Sequence, residues 1–84
     1  MPRALTAEWT EAAGSQREAF LARARDRRDA LRAAGCNYWV FEKGAEPGTF
    51  VEFLEARDPE SLRLARVRVD ADVDTDVLTA VDLD

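Results

Sequence analysis

Two carboxylates stand where the surrounding sequence is apolar. Glu52 lies between Val51 and Phe53, and Glu8 precedes Trp9 within an alternating segment. A carboxylate on a mostly buried sheet face either pairs with an arginine or holds a raised pKa suited to proton transfer. Arg3, Arg57 and Arg66 are the candidate partners, and Glu52 is the candidate general base. A second acidic pattern, Asp70-x-Asp72-x-Asp74-x-Asp76, has the alternation with which a loop wraps a hard cation. It departs from a calcium loop at two decisive places, with Thr75 at the sixth position instead of Gly and Val81 at the twelfth instead of Glu. These aspartates read as solvation of the approach to a last strand and as a cap on a helical turn there, and no metal is expected. Cys36 is the single cysteine, which excludes an intrachain disulfide and a two-thiolate zinc site and fits a reduced thiol. The chain has no histidine, so every histidine-dependent mechanism is closed.

The elements that must hold these groups follow from periodicity. From Arg3 to Thr10, Leu5, Ala7 and Trp9 alternate with Ala4, Thr6 and Glu8, which predicts a first strand. Ser15-Gln16-Arg17-Glu18 has the form of a capping box, and Phe20, Leu21, Ala24, Leu31 and Ala34 form the apolar stripe of the helix it would open. Gly35 suits the left-handed residue past its end. Two strands follow, Cys36 to Lys43 and Thr49 to Ala56, joined by a turn at Glu46-Pro47-Gly48. Asp58-Pro59 then predicts a second helix, with Asp as cap and Pro at the first helical position, ending near Arg68. A short fourth strand is expected from Leu78 to Leu83. The order β-α-β-β-α-β makes residues 1–84 a single ferredoxin-like α+β domain, with an antiparallel sheet and both helices on one face.

Both hairpin strands are apolar on both sides. Tyr38 and Val40 oppose Trp39 and Phe41, while Phe50 and Leu54 oppose Val51 and Phe53. Two helices cover one face of such a sheet, so the other exposes a patch at or above the roughly 300–600 Å² that a monomer tolerates. A second copy is the expected cover, giving a homodimer through the open sheet face.

Charge and composition narrow the partners. A formal net charge of −5 argues against nucleic acid, which needs a basic field. The one basic stretch, Arg17 to Arg32, interleaves Glu18, Asp26 and Asp29 at helical spacings and reads as a solvated, salt-bridged face. No stretch has the apolar length of a signal peptide or a membrane span, so a cytoplasmic protein without a membrane partner is expected. Eleven Arg against one Lys, with no Ile, fits a GC-rich bacterial genome.

The runs Gly35-Cys36-Asn37-Tyr38-Trp39-Val40-Phe41-Glu42, Glu46-Pro47-Gly48-Thr49-Phe50-Val51-Glu52-Phe53 and Asp58-Pro59-Glu60-Ser61-Leu62 resemble the dimeric α+β barrel superfamily. The nearest branch is the antibiotic-biosynthesis-monooxygenase-like domains. The hairpin is also similar to a small domain appended to some bacterial major-facilitator transporters. The resemblance spans about residues 15–66 and implies a homodimeric barrel in which two sheets pack face to face. Haem-degrading relatives use a histidine ligand, and several oxygenase-like members carry a late helical histidine where this chain has Leu64, Ala65 and Arg66; neither is present here, and no cofactor is implied.

What the resemblance leaves as oxygenase-type equipment is Asn37, Tyr38, Trp39 and Trp9, which supply hydrogen bonds and a stacking wall to an electron-rich phenol. Asn37 and Trp39 share a face while Tyr38 points the other way. The catalytic candidates are therefore Glu52, Asn37 and Trp39. The ligand-binding candidates are Trp9, Tyr38, Trp39, Phe50 and Phe53, around an apolar pocket between sheet and helices. Three roles fit: binding of a small hydrophobic or aromatic molecule, cofactor-independent oxygenation of an aromatic substrate, and a purely structural dimerisation module. A pocket of roughly 300 Å³ or more with a buried polar group at its base favours the first two.

Overall fold

Gly48 and Ala13 meet where the hairpin turn passes the start of the first helix, and the contact fixes how the sheet and helix layers join. A computed structural model describes residues 3–69 and 77–83. Its elements are β1 (Ala4–Glu11), α1 (Gln16–Ala33), β2 (Asn37–Glu42), β3 (Thr49–Ala56), α2 (Pro59–Val69) and β4 (Leu78–Thr79). The strands form one antiparallel sheet in the order β2-β3-β1-β4, the ferredoxin-like arrangement. Among the described residues no helix is long and apolar enough to cross a membrane.

Strand alternation sorts the two faces. Ala4, Tyr38, Phe50, Leu54 and Ala56 are buried against Phe20, Ala24 and Leu31 of α1 and Leu62 and Ala65 of α2. Phe20 stacks on Phe50, with ring centroids 4.5 Å apart. Both helices therefore cover the same side. On the other side, two cross-strand rows are apolar: Trp9, Val51 and Phe41, and Ala7, Phe53 and Trp39. Trp9 is 59% exposed, Phe41 57% and Trp39 43%, so this face is open.

The helix ends are read in part as expected. Gly35 takes φ +84°, its N–H donates to Arg32 O at 3.1 Å and that of Cys36 to Leu31 O at 2.9 Å, the two bonds of a Schellman motif. Asp58 Oδ1 accepts from the Ser61 N–H at 2.7 Å and caps α2. Asp58→Ala is expected to cost about 1 kcal/mol in urea denaturation. The capping box at Ser15 does not form. Ser15 itself has helical angles, φ −67° and ψ −15°, and its hydroxyl makes no cap bond. The first turn is instead closed by Gln16 N–H to Ala13 O and Arg17 N–H to Gly14 O, both at 3.2 Å.

The expected last strand, Leu78 to Leu83, shortens to Leu78–Thr79. Thr79 pairs with Ala4, and the Ala80 N–H still reaches Arg3 O at 2.9 Å, but β1 begins at Ala4, and Val81 to Leu83 run past its start. The Asp70–Asp76 pattern lies outside the described residues.

At the hairpin turn Gly48 has φ +96°, and a Cβ there would stand 2.7 Å from the Ala13 Cβ and 3.0 Å from its Cα. Gly48→Ala meets both the left-handed penalty and a clash with backbone, and is expected to cost about 2–3 kcal/mol. The urea midpoint measures it, and an unchanged midpoint would show that the two layers can separate freely at this contact.

Candidate functional site

In β1 and β3, Glu8 and Glu52 are direct cross-strand partners on the helix-covered face. Like charges directly opposite each other repel, and burial strengthens the repulsion. The helices resolve it by inserting arginines. Arg27 continues the α1 stripe of Phe20, Ala24 and Leu31, and its Nη1 donates to Glu8 Oε2 at 2.8 Å and to Glu52 Oε2 at 2.5 Å. Arg66 occupies the corresponding position on α2, beside Leu62 and Ala65, and is only 5% exposed. It donates to Thr6 Oγ1 at 2.9 Å and to Glu8 Oε1. The Tyr38 hydroxyl donates to Glu52 Oε2 at 2.7 Å.

This cluster floors a cleft of about 640 Å³ between α1 and the sheet. Phe20, Ala24, Ala30 and Val69 give its apolar wall, Glu8, Arg27 and Glu52 its floor, and the exposed Arg23 and Asp26 its rim. Burial pushes the Glu8 carboxyl up, but hydrogen bonds from Arg27 and Arg66 outweigh it, so Glu8 titrates below the usual carboxylate range. Burial, followed by donation to Glu52, raises the Tyr38 hydroxyl well above an ordinary phenol, so it stays a donor across the physiological range. Cys36 is buried, and burial raises its thiol.

The depressed Glu8 group has a defined pH signature. Its stabilisation is complete above the unfolded carboxylate pKa of about 4.3 and is lost as pH falls through its lower folded value. Thermal unfolding followed from pH 6 to pH 2 should therefore show stability falling on the acid side, with a shallower fall in Glu8→Gln. Identical acid slopes would remove Glu8 from the network. Glu42 and Glu55 are also lowered, by Arg17 and Arg3 respectively, but those exposed pairs contribute little.

The residues singled out from the sequence divide between the faces. Glu52 is in the cleft floor and 6% exposed. Tyr38 and Phe50 are in the core beneath it. Trp9, Trp39 and Phe53 lie on the open face with Asn37, whose amide donates to Glu55 at 3.3 Å. The expected pocket lined by Trp9, Trp39 and Phe53 between sheet and helices is thus corrected by strand alternation, which turns all three away from the helices. Asn37 and Trp39 are likewise across the sheet from Glu52. Of the three candidate arginine partners, Arg66 pairs with Glu8, Arg3 pairs with Glu55 on the open face, and Arg57 bonds Ser61 at the start of α2. Arg27, read as part of a solvated face, is the principal partner of Glu52. Its signal was present in the sequence only as one of two arginines, Arg27 and Arg28, at the stripe positions between Ala24 and Leu31.

No family model matches the chain, and no curated protein matches it. The solved structure of Rv0793 from Mycobacterium tuberculosis is similar. It superposes with a TM-score of 0.64, over 100% of this chain and 97% of that one, at 23% sequence identity. At that identity the likeness concerns the fold alone, a small α+β domain of nearly the same length.

Proposed function

We propose that this chain is a homodimeric, antibiotic-biosynthesis-monooxygenase-like domain that binds a small hydrophobic or aromatic molecule in the cleft between α1 and the sheet. One observation carries the reading: a cleft of about 640 Å³ with apolar walls and a buried carboxylate, Glu52, in its floor. A domain of this size gains little from burying four charges, because well-packed apolar residues in their place are commonly as stable or more so. A ligand that uses them supplies a reason to keep them. A purely structural module would be expected to fill this space with side chains. The open face, with Trp9, Trp39 and Phe41 partly in water, supports the second copy.

The test is an amide NMR titration with small aromatic compounds. Shifts at Ala24, Arg27 and Ala30 are expected for at least one of them, and no shift with any removes the reading. Oxygenation is the second reading, favoured by the carboxylate that Glu52 presents to the cleft as a base. Oxygen uptake with anthrone-like or hydroquinone substrates, lost in Glu52→Gln, would establish it. Asn37 and Trp39 have no part in that version, since they lie across the sheet.

A further inference from the structure

The geometry points to a recognition rule for the cleft: its ligand presents an N–H or O–H donor to Glu52 Oε1, and Arg27 and Tyr38 are positioning residues that leave this oxygen unclaimed. The inference rests on the ligand-binding reading above and specifies the polar end of the ligand.

Of the four carboxylate oxygens of Glu8 and Glu52, three are taken. Glu8 Oε1 accepts from Arg66 and Oε2 from Arg27, while Glu52 Oε2 accepts from both Arg27 and Tyr38. Glu52 Oε1 receives no hydrogen bond among the described residues. Every buried side-chain polar atom among those residues has a partner, so the unpartnered Oε1 opens on the cleft that Glu52 lines. The side chain is otherwise buried, its exposure only 7%, and two short bonds pin its far oxygen. A fixed carboxyl acceptor at the base of an apolar slot rewards a donor and penalises a group that cannot donate. Among the described residues Arg27 alone stands against Glu8 and Glu52 at the floor, with Arg66 behind Glu8, so the floor holds no surplus positive charge to draw in an acid. An incoming carboxylate would face Oε1 and compete with both Glu8 and Glu52 for Arg27.

Three flat bicyclic probes separate the terms: indole, 1-methylindole, in which the donor is blocked, and 2-naphthoate, an anion without a donor. In amide NMR titrations of the whole chain, indole is expected to bind roughly tenfold more tightly than 1-methylindole. In Glu52→Gln the amide must turn its oxygen to Arg27 and Tyr38, which leaves its NH2 facing the cleft, so the preference for indole should vanish. In Tyr38→Phe the preference should shrink, whereas a merely structural role would weaken both probes together. Equal affinity of indole and 1-methylindole, with both shifting cleft amides, overturns the donor rule and leaves the binding reading intact. Tighter binding of 2-naphthoate than of indole overturns it as well and shifts recognition to Arg23 at the rim. If no probe shifts the cleft amides, both readings fall.

Discussion

Arg27→Met should lower the stability of the folded domain by about 3–5 kcal/mol and give it a stability that falls as pH rises from about 4.3 toward neutrality. The magnitude is that of breaking a buried ion pair by removing one partner. Here the removed nitrogen is bonded to two carboxylates that face each other across β1 and β3. A domain of 84 residues has a total stability on the order of 4–12 kcal/mol, so the loss is a large share of it. Without the guanidinium, Glu8 and Glu52 cannot both ionise cheaply, and the pair must take up a proton at a raised pKa. The folded variant then binds more protons than the unfolded chain between about pH 4.3 and that raised value, so its stability falls as pH rises through the window. The native protein, with Glu8 depressed, behaves oppositely at the acid end. Urea denaturation at pH 5 and pH 7 decides the matter. The variant should gain stability at the lower pH, and adding Glu52→Met should recover part of the loss by removing a like charge. A variant as stable as the native protein at both pH values would show that Arg27 does not hold the two carboxylates together.

How much of this was legible beforehand depends on whether the determinant is local. Alternation in Ala4 to Thr10, Asn37 to Phe41 and Phe50 to Ala56 assigns each side chain to a face from the pleat alone. Gly35 and Asp58-Pro59 mark helix ends because their backbone preferences act within a few residues. Ser15 misleads because Gly14, at φ +59°, carries the chain into the helix early and gives Ser15 helical angles of its own. The register of β1 on β3 is a different matter. These strands are far apart in sequence and no tight turn joins them, so only the packed core sets Glu8 against Glu52. That juxtaposition makes the site, and it assigns Arg27 and Arg66 their roles. Both arginines interrupt apolar helix stripes, which is visible in the sequence, but an arginine with three carbons in its stem can leave a stripe for water as readily as enter it. Only the opposed carboxylates decide which it does.

Trp39→Asp should turn the proposed homodimer into a monomer that keeps its cleft, with the dissociation constant rising on the order of a thousandfold. Trp39 lies in the open-face row with Phe53 and Ala7, one register step from Phe41, Val51 and Trp9. Three half-exposed aromatic side chains alone present on the order of 300 Å² of apolar surface, and the partly exposed Leu5, Ala7 and Phe53 extend the patch toward the roughly 800 Å² per partner of a stable interface. An aspartate at position 39 is too short to reach water from the middle of such a contact, and each dimer would bury two of them without partners. The monomer bears the change more easily, because Trp39 is already 43% exposed and its neighbours across the sheet remain. Sedimentation velocity at micromolar concentration should give twice 9.4 kDa for the native chain and a single copy for the variant. A native chain sedimenting as one copy defeats the dimer, and so does a variant that associates as tightly as the native protein. Because the cleft and the open face lie on opposite sides of one sheet, the amide spectrum around Ala24, Arg27 and Ala30 should be unchanged in the variant. Loss of those signals together with the dimer would mean that the second copy holds the cleft in shape and that the two faces are not independent.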